Sequence, residues 1–114
     1  MSDYRIPEFE IIDRIASVRG SGSREASATT TIRTETGRVI RAEVVRDYYQ
    51  AQSWAVAQLL TDNGWATLLT EPAERWHHAT GTVTRTETDV WELLDPIINE
   101  LLTRAGMLLA LPTE

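Results

Sequence analysis

DVWELLDPIINELLTRA, residues 89–105, carries the most regular hydrophobic pattern in the chain. Its apolar residues recur at spacings of three and four, which places them along one side of a helix. They are Val90, Leu93, Leu94, Ile97, Ile98, Leu101, Leu102 and Ala105. A helix with such a stripe has to bury it against another layer, so we expect it to cover one face of a sheet.

The two ends and the middle of this helix carry further signals. Asp89 and Glu92 match a capping box at its start, and Gly106 is expected to end it. Pro96 removes a backbone hydrogen bond, but it projects onto the polar side, where a proline bends a helix around its core. The pattern therefore predicts one kinked helix. The alternative is a break at Asp95, with Pro96 opening a new helix.

A β-hairpin is predicted in the first half of the chain. The Thr-rich run 28–35 suits a strand, and in the run 39–45 apolar residues alternate with Arg41 and Glu43. The intervening TETGR supplies a turn at Gly37.

Two more helices and two more strands complete the prediction. Residues 6–18 and 48–62 show helical spacing, whereas WATLLT, residues 65–70, and part of 71–88 suit strands. The predicted fold is α+β in the order α-β-β-α-β-β-α, with about four antiparallel strands packed by helices. We expect a single domain, 1–114, with an N-terminal helix in 1–20, a flexible loop at 21–27 and a sheet-and-helix core in 28–114.

Composition excludes several classes of function. Seventeen acidic residues oppose eleven basic ones, giving a net charge of −6, which argues against nucleic acids and anionic membranes as partners. All eleven basic residues are arginines, and the absence of cysteine excludes disulfides and thiol catalysis. The acidic start MSDYRIPEFE lacks the regions of a signal peptide, so we expect a cytoplasmic protein, or one from a host cytoplasm or virion if a phage encodes it.

Sequence motifs predict no catalytic site, no metal and no cofactor. His77 and His78 are adjacent, and on a strand their side chains would point to opposite faces, so they could not hold one metal together. The serines are not set in a nucleophile elbow, and GSGSRE lacks the lysine of a phosphate-binding loop.

Tryptophan and threonine supply the candidate interface residues. Trp54 projects outside the apolar stripe of its predicted helix, whereas Gln52 projects inside it, so a partner could cover the first and satisfy the second. Alternating threonines form a ladder that could pair with another subunit. The candidates are Trp54, Gln52, Gln58, Thr82, Thr84 and Thr86.

These observations favour a non-catalytic protein–protein interaction module, a homo-oligomeric subunit of a larger assembly such as a phage or phage-tail-like particle. The predicted element order resembles those of small acidic secretion chaperones and of ring-forming phage-tail subunits. The first alternative is accordingly an acidic chaperone or adaptor for a partner protein. The second is a small-molecule-binding protein or enzyme, with a pocket between sheet and helices near Trp65, Trp76 and His78.

Overall fold

The computed structural model describes residues 9–19, 25–78 and 87–110, and most of them lie in a sheet. Five antiparallel strands lie side by side in chain order. The strands are β1 (Phe9–Arg19), β2 (Glu25–Thr34), β3 (Val39–Asp47), β4 (Trp54–Thr61) and β5 (Gly64–Glu71). A short helix α1 (Ala73–Trp76) and a long helix α2 (Glu87–Ala110) follow. The predicted order α-β-β-α-β-β-α and the count of four strands are therefore wrong.

The hairpin of β2 and β3 is confirmed. Gly37 sits in its turn with φ of 84°, a conformation that glycine adopts without strain. The hairpin of β4 and β5 turns in the same way at Gly64, with φ of 105°. Gly64 begins β5, which contains the predicted strand WATLLT.

The predicted N-terminal helix is instead the edge strand β1. Its segment is rich in β-branched isoleucine and valine, which favour extended backbone. A bulge between Ile11 and Asp13 shifts the register against β2, so the spacing of apolar residues imitates a helical period. Residues 25–27 of the predicted loop at 21–27 belong instead to β2, and residues 21–24 lie outside the described residues.

The predicted helix 48–62 is a 3₁₀ turn (Gln50–Gln52) followed by β4. Ala55, Ala57 and Leu59 are buried alternately along β4, which is the period of two expected of a strand. The apolar residues at 55, 56, 59 and 60 have helical spacing, but pairing with β3 and β5 selects the strand.

Helix α2 is continuous across Pro96, so one helix is confirmed and the break at Asp95 is wrong. Pro96 is exposed, as its polar-side position predicted. The expected ends are wrong, because α2 already includes Glu87 and continues through Gly106 to Ala110. The capping box starting at Asp89 therefore lies inside the helix. The apolar stripe is buried as predicted at Val90, Leu94, Ile98, Leu101, Leu102 and Ala105.

The segment 71–88, which was predicted to hold the fourth strand, is described only in part. Glu71 ends β5, residues 73–76 form α1, and residues 87 and 88 belong to α2. The threonines at 82, 84 and 86 lie outside the described residues. Because the element order differs, the resemblance to secretion chaperones and phage-tail rings no longer has its basis.

Polar contacts tie α2 to both edges of the sheet. Near β1, a guanidinium nitrogen of Arg14 lies 3.4 Å from Oδ1 of Asp95. The guanidinium carbon of Arg14 lies 4.1 Å from the centre of the Trp91 ring. Near β5, Arg104 donates a 2.6 Å hydrogen bond to Glu71. Neither helix in the described part of the chain combines the length and apolarity needed to cross a membrane.

Candidate interaction surface

The sheet has one covered face and one open face. Helix α2 packs on the side of Ala42 and Val44, which are fully buried, whereas the alternating Arg41 and Glu43 remain partly exposed. We name the side away from α2 the outer face. From the strand register, its central residues are Thr29, Thr31, Arg41, Glu43, Val56, Gln58, Leu60, Trp65 and Thr67.

Arg41 organises one half of the outer face. Its Nε donates a 2.7 Å hydrogen bond to Oε1 of Gln58, directly across from it on β4. Its guanidinium carbon lies 4.2 Å from the centre of the Trp65 ring on β5, within cation–π range. A hydrogen bond and a ring therefore hold the long arginine side chain flat along the sheet.

Glu43 organises the other half. Its Oε1 accepts a 3.0 Å hydrogen bond from Nε1 of Trp54, and its Oε2 lies 3.5 Å from the hydroxyl of Thr29. The indole nitrogen is thus satisfied within the chain, while 48% of the Trp54 side chain stays exposed. A partner could cover this ring without leaving its polar atom unpaired.

The connection from β3 to β4, which leads into Trp54, carries two further exposed aromatic residues. Tyr48 is 65% exposed and Tyr49 is 55% exposed, and their rings meet edge to face at 5.1 Å. We name Tyr48, Tyr49 and Trp54 the corner patch. Its three large side chains lie within seven consecutive residues.

Hydrogen bonds fix the backbone that carries the corner patch. The carboxylate of Asp47 accepts a 2.9 Å bond from the amide of Tyr49, and the Asp47 amide donates to the hydroxyl of Ser53 at 2.8 Å. That hydroxyl lies 3.1 Å from the carbonyl oxygen of Tyr49, to which it donates. These bonds form the side-chain turn that aspartate and serine favour, so the corner patch stands on a constrained loop.

Buried polar groups support this loop from beneath. His77, which is buried, places Nε2 2.9 Å from the carbonyl oxygen of Asp47; since a carbonyl only accepts, Nε2 carries the proton. Burial lowers the pKa of the Arg46 guanidinium, and the adjacent Asp47 carboxylate opposes that shift. Arginine nevertheless stays charged. The corner is therefore fixed to α1 through His77.

The structure brings together only part of the predicted interface. Trp54 is exposed as expected, but on a strand rather than a helix, and Gln58 joins it on the outer face. Gln52 was expected inside an apolar stripe, and it is instead exposed in the 3₁₀ turn. Thr82, Thr84 and Thr86 lie outside the described residues.

Sequence reasoning missed the two tyrosines and the roles of Arg41 and Glu43. Tyr48 and Tyr49 begin the segment 48–62, and in the helix predicted there, which does not form, they would lie on the buried apolar stripe. The alternation of Arg41 and Glu43 with apolar residues did place both on a solvent-facing side. Their link to the tryptophans follows only from the pairing of β3 with β4 and β5.

The alternative pocket near Trp65, Trp76 and His78 is not assembled. Trp65 lies on the outer face, Trp76 is buried in the core on the opposite side, and His78 is exposed. Two open depressions of about 310 Å³ lie elsewhere, one at the end of β1 and β2 and one between β5 and α2. Within residues 9–19, 25–78 and 87–110, no three histidine or acidic side chains are grouped to hold a metal.

A comparison of the chain with family models, with curated proteins and with solved structures gave no match in any of the three. The side chains themselves therefore supply the functional indication. The outer face carries Arg41 and Glu43, and three exposed aromatic residues lie in the segment that leads into β4; aromatic residues and arginine are enriched in protein–protein interfaces.

Proposed function

We propose that this protein is a non-catalytic interaction module that binds other protein chains through the corner patch and the adjoining outer face. The observation that carries the proposal is the exposure of Tyr48 and Tyr49 on a hydrogen-bonded loop and of Trp54 at the start of β4. Tyrosine and tryptophan are the residues most enriched among those that dominate protein–protein binding energy.

The constrained loop makes these side chains suited to binding. Each ring has only two rotatable side-chain bonds, so little conformational entropy is lost when a partner covers it. The Asp47 and Ser53 hydrogen bonds also fix the backbone before binding. Preorganisation of this kind raises affinity by lowering the cost of ordering.

The polar groups beside the corner patch favour a protein partner of mixed charge. Arg41 and Glu43 are neighbours on the outer face, so the surface offers a cation and an anion two residues apart on one strand. Each is already hydrogen-bonded within the chain, Arg41 to Gln58 and Glu43 to Trp54. A surface with opposite charges fixes the orientation of a complementary partner more than it adds affinity.

The proposal is tested by immobilising the protein, exposing it to extract from its own source cells, and quantifying the retained proteins. Each retained protein is then purified, and its dissociation constant is measured by calorimetry. We expect Trp54→Ala and Tyr48→Ala each to raise the dissociation constant of the partner by about 30-fold. This is the effect of losing a dominant contact worth about 2 kcal/mol.

Met107→Ala is the matched control, because Met107 is a comparably exposed apolar side chain at the far end of α2. It should bind like the unaltered protein. Circular dichroism confirms that all variants remain folded. If the retained proteins bind all three variants equally, the corner patch is not the contact surface and the proposal fails. The larger assembly, a phage or phage-tail-like particle, remains a prediction.

A further inference from the structure

Strand β1 is an edge strand with an unusual concentration of exposed apolar side chains. It pairs with β2 on one side, and its other side is the end of the sheet in the described part of the chain. Four of its eleven residues are large, apolar and exposed, namely Phe9, Ile11, Ile12 and Ile15. A long apolar edge offers its free backbone groups as a template for another strand.

The sequence of β1 is compatible with antiparallel pairing to itself about Ile15. In that register Ile15 faces Ile15 of the second copy, Arg14 faces Ala16, and Asp13 faces Ser17. The register against β2 places residues 13, 15 and 17 on the outer face and residues 14 and 16 on the helix side. Every pair therefore joins residues of the same face, which antiparallel pairing requires.

The bulge extends this match toward the ends of the strand. Because Ile12 is an extra residue, Ile11 returns to the helix side and lies opposite Val18 of the second copy. Glu10 then lies opposite residue 19, which is an arginine in the sequence. Isoleucine at the centre and the pairing of residues on the same face along the strand make the edge complementary to itself.

The charged residue nearest the centre does not obstruct this pairing. Arginine or lysine at an edge can block association when it projects across the free side. Arg14 is instead drawn toward α2, where it contacts Asp95 and the face of Trp91. Ile15, at the centre of the free edge, is 58% exposed.

We infer that two copies of this chain pair through β1 into a continuous ten-stranded antiparallel sheet. The two-fold axis passes through the sheet at Ile15 and is perpendicular to it. Both α2 helices then lie on one side, and both outer faces form one doubled surface on the other. The dimer uses none of the corner patch, so it stands or fails independently of the proposed partner binding.

Single cysteines test the register, because the chain has none of its own. Opposed residues of an antiparallel pair have Cα atoms about 4.5–5.5 Å apart, within the range of a disulfide. Ile15→Cys should therefore form a disulfide-linked dimer on mild oxidation. Ser17→Cys is the matched control, since residues 17 of the two copies would be about 13 Å apart. Equal crosslinking of the two variants would overturn the proposed register.

Sedimentation velocity tests the dimer without crosslinking. The unaltered protein should sediment as a dimer at micromolar concentration. Ile15→Lys should raise the dissociation constant by about 100-fold, because the symmetric contact is altered twice and like charges oppose each other. Leu60→Lys, at a comparably exposed site on β4, should leave the dimer intact. A monomeric unaltered protein, a larger assembly unaffected by Ile15→Lys, or β1 bound to a different protein would each refute the inference.

Discussion

Replacing Thr30 by valine is expected to stabilise the protein. Thr30 lies on β2 on the helix side of the sheet, beside Ala42 and Arg14 in the register, and is only 4% exposed. Its hydroxyl oxygen has no hydrogen-bond partner among the described residues. Valine has nearly the same shape and removes the hydroxyl, so the substitution removes a buried polar group without opening a cavity.

The size of the effect follows from the state of that hydroxyl. A buried donor or acceptor without a partner costs about 1–3 kcal/mol. Allowing for small adjustments of packing, we expect the free energy of unfolding to rise by about 1–2 kcal/mol. With a urea dependence of about 1–2 kcal/mol per molar, the midpoint should rise by about 0.5–2 M.

Urea unfolding followed by circular dichroism and tryptophan fluorescence measures this shift. Protein concentration is held constant, because dimer formation would make apparent stability depend on it. Thr31→Val is the matched control, since Thr31 is the next residue, lies on the outer face and is only partly buried. The control should change stability by less than about 0.5 kcal/mol. If Thr30→Val is no more stable than Thr31→Val, the Thr30 hydroxyl is satisfied and the reasoning is wrong.

Three further substitutions test other parts of the fold by the same unfolding measurement. Leu94→Ala should cost about 2–5 kcal/mol, because Leu94 is fully buried under the sheet; a loss under about 1 kcal/mol would contradict its place in the core. Gly64→Ala should cost about 1–2 kcal/mol from backbone strain alone, since an added Cβ meets no atom within 4 Å; an unchanged midpoint would show that the turn relaxes. Arg104→Ala should cost less than about 1 kcal/mol despite its 2.6 Å bond to Glu71, because Arg104 is solvent-exposed; a larger loss would indicate packing by its aliphatic stem.

Helix α2 and its buried stripe were predictable from the sequence for a physical reason. Apolar spacing of three and four persists over seventeen residues, and no strand of ordinary length could use that pattern. The burial of Val90, Leu94 and Ile98 follows directly. The ends of the helix were not predictable, because Gly106 is tolerated inside a packed helix.

Strands β1 and β4 could not be distinguished from helices by periodicity. In β4 the apolar residues at 55, 56, 59 and 60 satisfy a period of 3.6, while burial at 55, 57 and 59 satisfies a period of two. Alanine at 55 and 57 favours a helix intrinsically. Pairing with β3 and β5 decides in favour of the strand, and such long-range contacts cannot be read from the sequence of one segment.

Treating β4 as a helix also gave the wrong exposure for two residues of the corner patch. With β4 treated as a helix, Tyr48 and Tyr49 fell on its buried stripe, whereas the structure exposes both. Trp54 fell outside that stripe and is exposed, so its position away from the core was predicted although its secondary structure was not. A wrong period therefore misplaces some residues, such as the two tyrosines, and leaves others, such as Trp54, on the correct side by coincidence.

Polarity changes across the outer face, and this change separates a merely solvated sheet from a binding surface. Antiparallel sheets often leave one face to water, and β2 follows that rule with Thr29 and Thr31. Strand β4 departs from it by placing Trp54, Val56 and Leu60 on the same side. The proposed partner would account for this apolar half if it covers β4 and β5 and leaves β2 in water. Binding should then depend on Leu60 but not on the β2 threonines.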